Sequence, residues 1–159
     1  MSEGLSVYCT QLVSIKIIIT IMAQANVFYK GEEKKFAITI QNEGFDIDTD
    51  DFDIEVTNGK ESCAVQKTGE PTERGFWTNE DGSLVIFYEE ETTEIPAEEP
   101  GGEPTTNTVK HWFGIINTQF FNSTGQLNVV VTAHVRDEKA YDGVRNVIDS
   151  KPLGTLKNK

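Results

Sequence analysis

Basic residues are scarce in this sequence of 159 residues. Lysine and arginine number 14, against 26 aspartates and glutamates, so the formal net charge is −12. Proteins that bind nucleic acids present a cationic surface to the phosphates, and contact with anionic lipid by charge has the same requirement. The charge balance therefore predicts that neither nucleic acid nor a membrane surface is the partner.

Cysteine and histidine are also scarce, with two residues of each. Two cysteines exclude a disulfide-rich scaffold and a four-cysteine zinc site. His111 and His134 share no ligand spacing: we expect His111 to pack beside Trp112 and Phe113, and His134 to lie on the outward register of its strand. Nucleophile elbows and phosphate-cradling glycine loops are missing too. We expect no catalytic, cofactor-binding or metal-binding residues, no cofactor, and a non-enzymatic protein.

Residues 1–25 differ in character from the rest. Residues 17–22 are an apolar run after Lys16, and Ala23-Gln24-Ala25 would suit a signal cleavage site. The run is too short for a transmembrane helix, which needs about 20 apolar residues. A start of synthesis at Met22 and a genuine N-terminal strand or arm are the other open interpretations. We treat residues 1–25 as an extension that the mature protein need not contain, and residues 26–159 as one domain.

The domain shows the period-two alternation of half-buried strands. It is clear at 36–40, 52–56 and 127–135, weaker at 110–118 and 146–148, and replaced at 83–88 by an apolar run typical of a central strand covered on both faces. Turn signals separate these segments: Lys30-Gly31, Asn58-Gly59, Asp81-Gly82, Gly125 and Asp142-Gly143. The pattern predicts an all-β, Ig-like β-sandwich of about seven strands, although Cys63 has no partner within residues 26–159 for an antibody-type disulfide.

Residues 89–108 interrupt this pattern. They contain seven Glu and three of the five Pro, with no basic residue. Such a segment buries too little apolar surface to offset its ordering entropy. We interpret it as a long acidic Pro/Gly-rich loop insertion, either the tip of an extended hairpin or a mobile loop. A binding role and a solvated insertion without a role both remain open.

Asp residues at every second position from 46 to 50 suggest the opening of a calcium loop. The EF-hand pattern then requires Gly and Glu at positions that Asp51 and Thr57 occupy here. We favour a turn in which Asp side chains accept hydrogen bonds from nearby backbone amides, while Phe45 and Phe52 point inward.

Five aromatic residues are expected near strand ends and in loops. They would suit the centre of a protein interface or, equally, the closing of the core at its ends. These residues are Phe76, Trp77, Trp112, Phe120 and Phe121.

Several stretches resemble a known family. They begin with Tyr29-Lys30-Gly31-Glu32 and continue at residues 35–40, 43–46, 50–56, 129–137 and 141–145. Together they are similar to virion proteins of tailed phages and prophages from gut Bacteroidales, and distantly resemble the N-terminal Ig-like module of phage baseplate upper proteins. The resemblance covers roughly residues 26–156, without the 89–108 segment.

The resemblance implies a virion structural protein, made in the host cytoplasm. It would be a decorating or adaptor subunit of the head (an auxiliary capsid protein or head-fibre base) or of the baseplate or tail, multimeric in the particle. The partners implied are major capsid or baseplate and tail subunits. We expect docking through residues 26–30 and the basic tail, Lys151, Lys157 and Lys159. The alternatives are an exported surface or periplasmic adhesin that binds a glycan or protein, and a small hydrolase with an unrecognised carboxylate pair.

Overall fold

Nine β-strands make up the regular structure in the computed structural model, which describes residues 26–159. In chain order they are β1 (Val27–Tyr29), β2 (Glu33–Ile38), β3 (Phe52–Thr57), β4 (Ser62–Lys67), β5 (Phe76–Thr78), β6 (Leu84–Ile95), β7 (Thr105–Asn117), β8 (Gly125–Arg136) and β9 (Val144–Lys157). A short 3-10 turn, Thr118–Phe120, follows β7. Across residues 26–159 there is no helix with the length and apolar character needed to cross a membrane. The interpretations of residues 1–25 lie outside the described residues.

The strands form two sheets. One has the order β1-β9-β8-β3-β4 and the other the order β2-β7-β6-β5. Neighbouring strands are antiparallel except β1 and β9, which are parallel. The prediction of an all-β two-sheet sandwich is confirmed, with nine strands instead of about seven. The difference arises because the sequence patterns did not single out β1, β4 or β5.

The core lies between the inner faces of the two sheets. Alternation in β3 and β8 is confirmed: Phe52, Ile54 and Val56 are fully buried, whereas Asp53 and Glu55 between them are partly exposed. Burial of each such side chain contributes about 1.5–3 kcal/mol of hydrophobic stabilisation. The other sheet supplies, among others, Phe36, Leu84, Ile86 and Ile116.

The apolar run at 83–88 is fully buried on one face only, so the prediction that this strand is covered on both faces is wrong. Leu84 and Ile86 are buried, but Phe87 points to the outer face and is half-buried. There its ring lies 5.8 Å from that of Phe113, and Lys35 Nζ lies 5.5 Å from its centroid. Among residues 26–159, neighbouring side chains such as Phe113 and Lys35, and not a further strand, contact the outer apolar residue Phe87 of β6.

The acidic segment is an extended hairpin tip and not a loop throughout. β6 and β7 pair as far as Ile95 opposite Thr105, so only residues 96–104 form the connecting loop. Side chains at 89–95 are exposed on both faces of this ribbon. Backbone hydrogen bonds between the two strands form without apolar side chains, which explains why composition did not reveal the strands.

Candidate docking surface

The two segments expected to dock a partner lie side by side in the structure. β1 pairs in parallel with the end of β9, with Val27 opposite Thr155 and Tyr29 opposite Lys157. The backbone N–H of Thr155 donates to the Asn26 carbonyl at 2.8 Å, and the N–H of Lys30 donates to the Lys157 carbonyl at 2.9 Å. Residues distant in sequence therefore form one continuous surface.

The outer side of this strand pair combines apolar and basic side chains. Phe28 is buried in the core, which turns its neighbours Val27 and Tyr29 outward, where they are 47% and 41% exposed. Lys157 lies opposite Tyr29 in the strand register, and Lys30 directly follows β1, where its backbone N–H donates to the Lys157 carbonyl. We call these four residues, Val27, Tyr29, Lys30 and Lys157, the β1–β9 face. Apolar side chains with a polar surround are typical of the centre and rim of a protein interface.

The remaining predicted lysines are placed differently. Lys159 follows β9 and is exposed near the same end. Lys151 lies further back along β9, where its Nζ is 3.6 Å from a carboxylate oxygen of Asp149. Lys151 therefore stands apart from the β1–β9 face.

A glycine allows β1 to approach β9 so closely. Gly154 has φ +151°, and a Cβ atom there would lie 2.6 Å from the backbone oxygen of Asn26. The pairing of β8 with β9 shifts register nearby, between Leu127 and Asn128. A side chain at position 154 would have to displace backbone, so this position fixes how β1 is seated.

The acidic turn at 46–51 uses its carboxylates internally. Asp46 accepts a hydrogen bond from the backbone N–H of Asp48 at 2.9 Å, and Asp50 accepts one from the N–H of Asp46 at 2.8 Å. Asp48 accepts the indole N–H of Trp112 at 2.7 Å. The interpretation as a turn stabilised by Asp side chains is confirmed. Within residues 26–159 no group of three or more His, Cys, Asp or Glu is arranged to hold a metal ion.

A buried lysine holds this turn against the end of the sandwich. Lys67 is 5% exposed, donates to the Asp50 carbonyl at 2.9 Å and lies 5.2 Å from the Trp112 ring. Burial lowers the pKa of Lys67, against the opposing effect of the nearby aspartates. Sequence reasoning missed this residue, although it continues the alternation of Cys63 and Val65 in β4. Beside it Phe52 is buried, and Phe45 also packs on the core.

Most of the aromatic residues considered for an interface belong to the core. Trp77, Trp112 and Phe121 are 9%, 4% and 0% exposed, whereas Phe76 and Phe120 are half-buried. The rings of Trp77 and Trp112 lie 5.6 Å apart, and the Trp77 indole donates to backbone carbonyls. The core-closing interpretation is confirmed for these three residues. Trp77 and Trp112 are therefore too buried to stack against a sugar.

The histidines stand apart from each other. His111 does not pack beside Trp112 and Phe113, so that prediction is wrong: it is exposed on the ribbon and lies 2.9 Å from Glu91. Its position in the exposed part of β7, opposite acidic β6, accounts for the difference.

The outward register of His134 is confirmed. Its ring nitrogens contact side-chain oxygens of Asn146 at 2.8 Å and Asp53 at 3.0 Å. Partial burial opposes the charged ring, but these hydrogen bonds and the Asp53 charge outweigh it and raise the pKa of His134. The cluster bridges β3, β8 and β9 and stabilises the outer face of the sheet.

Compared with protein-family models, curated proteins and solved structures, the chain matches none of them.

Proposed function

We propose that this protein is a non-enzymatic docking subunit of a bacteriophage virion. It decorates the head or adapts it to a fibre, or joins the baseplate or tail, and it acts by protein–protein contact in many copies. The observation that carries the proposal is the β1–β9 face, where exposed Val27 and Tyr29 lie on a strand paired with β9, with Lys157 opposite Tyr29. Repeated copies make modest affinity at each site sufficient.

The phage assignment within this proposal comes from the sequence resemblance. The stretches that carry it correspond to the β1–β2 turn, β2, residues 43–46 between β2 and β3, β3, β8 and the turn before β9. Under the proposal the domain is an Ig-like sandwich, and its net charge of −12 keeps it soluble until its site on the particle forms.

The location of the native protein tests the proposal. Cells that carry the gene are induced to release phage-like particles, which are purified on a density gradient, and the envelope of the same cells is fractionated in parallel. We expect the protein in the particle band, with the stoichiometry of a repeated subunit. Its presence in the envelope with residue 26 as the first residue would instead indicate a cleaved signal and an exported adhesin.

A glycan array distinguishes a docking subunit from an exported adhesin and needs only the purified protein. A docking subunit shows no sugar binding, whereas an adhesin of the competing kind binds at least one glycan. Sugar binding together with absence from the particles would overturn the proposal.

A further inference from the structure

The first half of β9 is an edge of its sheet. β8 pairs with β9 from Val144 to Leu156, whereas β1 covers only Thr155–Lys157 on the other side. Among residues 26–159, no strand pairs with that side of β9 over residues 144–152. An edge strand presents unpaired backbone N–H and C=O groups, with which another strand can pair.

The hydrogen bonds on the two sides of β8 identify which backbone groups of β9 point to this edge. The N–H of Asp137 donates to the Gly143 carbonyl at 2.9 Å, and the N–H of His134 donates to the Asp51 carbonyl on the opposite side of β8 at 3.1 Å. Antiparallel pairs alternate between hydrogen-bonded and non-hydrogen-bonded, so the odd-numbered residues of β9 up to position 151 direct their backbone groups to β8. Four even-numbered residues direct theirs to the edge: Val144, Asn146, Ile148 and Ser150.

Pro152 ends this row of backbone donors. It is the next residue in the even-numbered series, but a proline has no N–H to donate. At the other end, Gly143 belongs to the turn that precedes β9. The pairing edge is therefore limited to residues 144–150.

The charges along this edge are complementary to a second copy of the same strand. If two copies pair antiparallel about a two-fold axis through Val147, Arg145 of each copy lies opposite Asp149 of the other. In this register the even-numbered residues of 144–150 face one another in hydrogen-bonded pairs. Every backbone group that points to the edge then has a partner.

Other registers match the charges less well. An axis at Ile148 would place Arg145 opposite Lys151, and an axis at Asp149 would place two aspartates opposite each other. An axis at residue 146 would leave Arg145 and Asp149 without an opposite charge to face. Opposite charges at facing positions stabilise a strand pair and like charges destabilise it, so the charges select the first register.

Both charged residues already have a contact in their own chain. Arg145 Nε lies 3.4 Å from a carboxylate oxygen of Asp137, and Asp149 lies 3.6 Å from Lys151 Nζ. Partly exposed pairs of this kind contribute little to stability in water. The other guanidinium N–H groups of Arg145 and the remaining acceptor sites of Asp149 can take a second partner across the axis.

The same contact would cover apolar side chains on both faces of the joined sheet. Ile148 is 67% exposed, and in this register it would lie diagonally opposite its own copy on the outer face. On the inner face, Val147 would meet Val147 of the other copy at a groove of about 390 Å³. Residues 39–42 form the far wall of this groove. Association would therefore remove from water an isoleucine that is exposed in the single chain.

We propose that two copies of this chain associate through residues 144–150 of β9, so that their five-stranded sheets join across a two-fold axis at Val147. The β1–β9 face lies near the other end of β9, at Lys157. The contact thus goes beyond the proposed docking to other virion proteins and does not depend on it. One pair of short strands is a small interface, so we expect a weak dimer that is populated at about 100 µM and dissociated at about 1 µM.

Sedimentation velocity on the purified full chain tests the proposal between about 1 and about 300 µM. The wild type is compared with Arg145→Asp, Asp149→Arg and the double variant that exchanges the two charges. Because of the two-fold axis, each single change places two like-charged pairs at the contact, so we expect its association to weaken at least about tenfold. Arg74→Asp is the control, because Arg74 is exposed outside β9 and its replacement changes the net charge as Arg145→Asp does. The control should associate like the wild type.

Mixing the variants tests the register itself. An equimolar mixture of Arg145→Asp and Asp149→Arg regains both opposite-charge pairs in the mixed dimer. The double variant regains them in its own dimer, at the net charge of the wild type. We expect both to associate within about threefold of the wild type, because the paired changes compensate each other.

Hydrogen exchange then locates the contact. We expect peptides that cover residues 144–150 to become protected as the concentration rises from about 1 to about 300 µM. Full protection already present in the monomer would overturn the proposal, because another segment of the same chain would then cover the edge. A wild type that stays monomeric at the highest concentration would contradict it, as would a dimer that both single charge changes leave intact. No particle enters these experiments, so their failure is distinct from failure of the virion assignment.

Discussion

Gly154 lies so close to Asn26 that a Cβ atom on the glycine would sit 2.6 Å from the asparagine backbone oxygen. The oxygen belongs to the backbone that leads into β1, so the clash can be relieved only if that backbone moves. The β1–β9 face therefore depends on a residue that contributes no side chain to it.

Gly154→Ala is expected to loosen β1 and destabilise the domain by about 1–3 kcal/mol, as overpacking does at close contacts. Urea denaturation gives the free energy of unfolding, and hydrogen exchange of Val27–Tyr29 reports on β1 itself. Gly125→Ala is the matched control, because Gly125 also has a positive φ but no atom within 4 Å of the added Cβ. Equal exchange of β1 in the two variants would contradict the steric explanation.

Gly114 provides a second steric test, inside the core. A Cβ atom there would lie 2.4 Å from Cζ of Phe36, its partner across β2 and β7. Gly114→Ala should cost about 1–3 kcal/mol of unfolding free energy, because the buried ring must move. Combining it with Phe36→Leu should cost less than the sum of the single changes, and simple additivity in a double-mutant cycle would refute the contact.

The His134 cluster predicts a pH-dependent contribution to stability. The pKa of His134 is raised in the folded protein above its ordinary value of 6.5. Its stabilisation is therefore complete below pH about 6.5 and is lost as the pH rises through the folded pKa. Asp53→Asn should lower the pKa of His134 in an NMR titration, and His134→Gln should abolish this part of the pH dependence of unfolding. A His134 pKa unaffected by Asp53→Asn would contradict the assignment.

Glu61 joins two turns at one end of the sandwich and predicts the opposite pH dependence. Its carboxylate accepts the backbone N–H groups of Asn122 and Ser123 at 2.9–3.0 Å. The hydrogen bond from the Asn122 backbone is the main cause that lowers the pKa of Glu61 below 4.5. This stabilisation is present above pH about 4.5 and is lost as the pH falls through the folded pKa.

Glu61→Gln should therefore flatten the acid limb of the stability curve, measured by thermal unfolding between neutral and acidic pH. Glu94→Gln on the exposed ribbon is the control and should leave that limb unchanged. An identical acid limb in Glu61→Gln and the wild type would show that the carboxylate does not hold the two turns together.

Cys63 should resist thiol reagents while the domain is folded. Burial raises the pKa of its thiol to about 11, and the thiolate is the reactive form. In a Cys9→Ser background, we expect a colorimetric disulfide reagent to react slowly in buffer and rapidly in urea. Fast reaction in buffer would mean that β4 opens readily.

The sequence predicted those strands whose two faces meet different surroundings. β3 and β8 have one face in the core, so period-two alternation marked them clearly. Apart from residues 146–148, β9 was not predicted, because its first half is exposed and it contains Pro152 and Gly154. The exposed ends of β6 and β7 were not predicted, because backbone pairing without buried side chains defines them.

The candidate site was predicted in its parts but not in its arrangement. Residues 26–30 and Lys157 were singled out separately, and their contact comes from parallel pairing across more than a hundred residues. Local patterns hold no information about such a pairing. Lys67 was missed because a lysine on a half-exposed strand normally points to solvent, whereas here backbone and aromatic rings surround its charge.

The claim that the protein docks through the β1–β9 face is tested most directly by measuring how much of a variant of this face is incorporated into particles. Val27→Asp on the β1–β9 face is compared with Val109→Asp on the ribbon, because the two valines are 47% and 44% exposed. Each variant replaces the wild-type protein in cells induced to release phage-like particles, and the purified particles are quantified for the protein. We predict that Val109→Asp is incorporated like the wild type and that Val27→Asp is depleted at least about tenfold, since a buried unpaired charge opposes docking. Equal incorporation of both variants would contradict docking through this face.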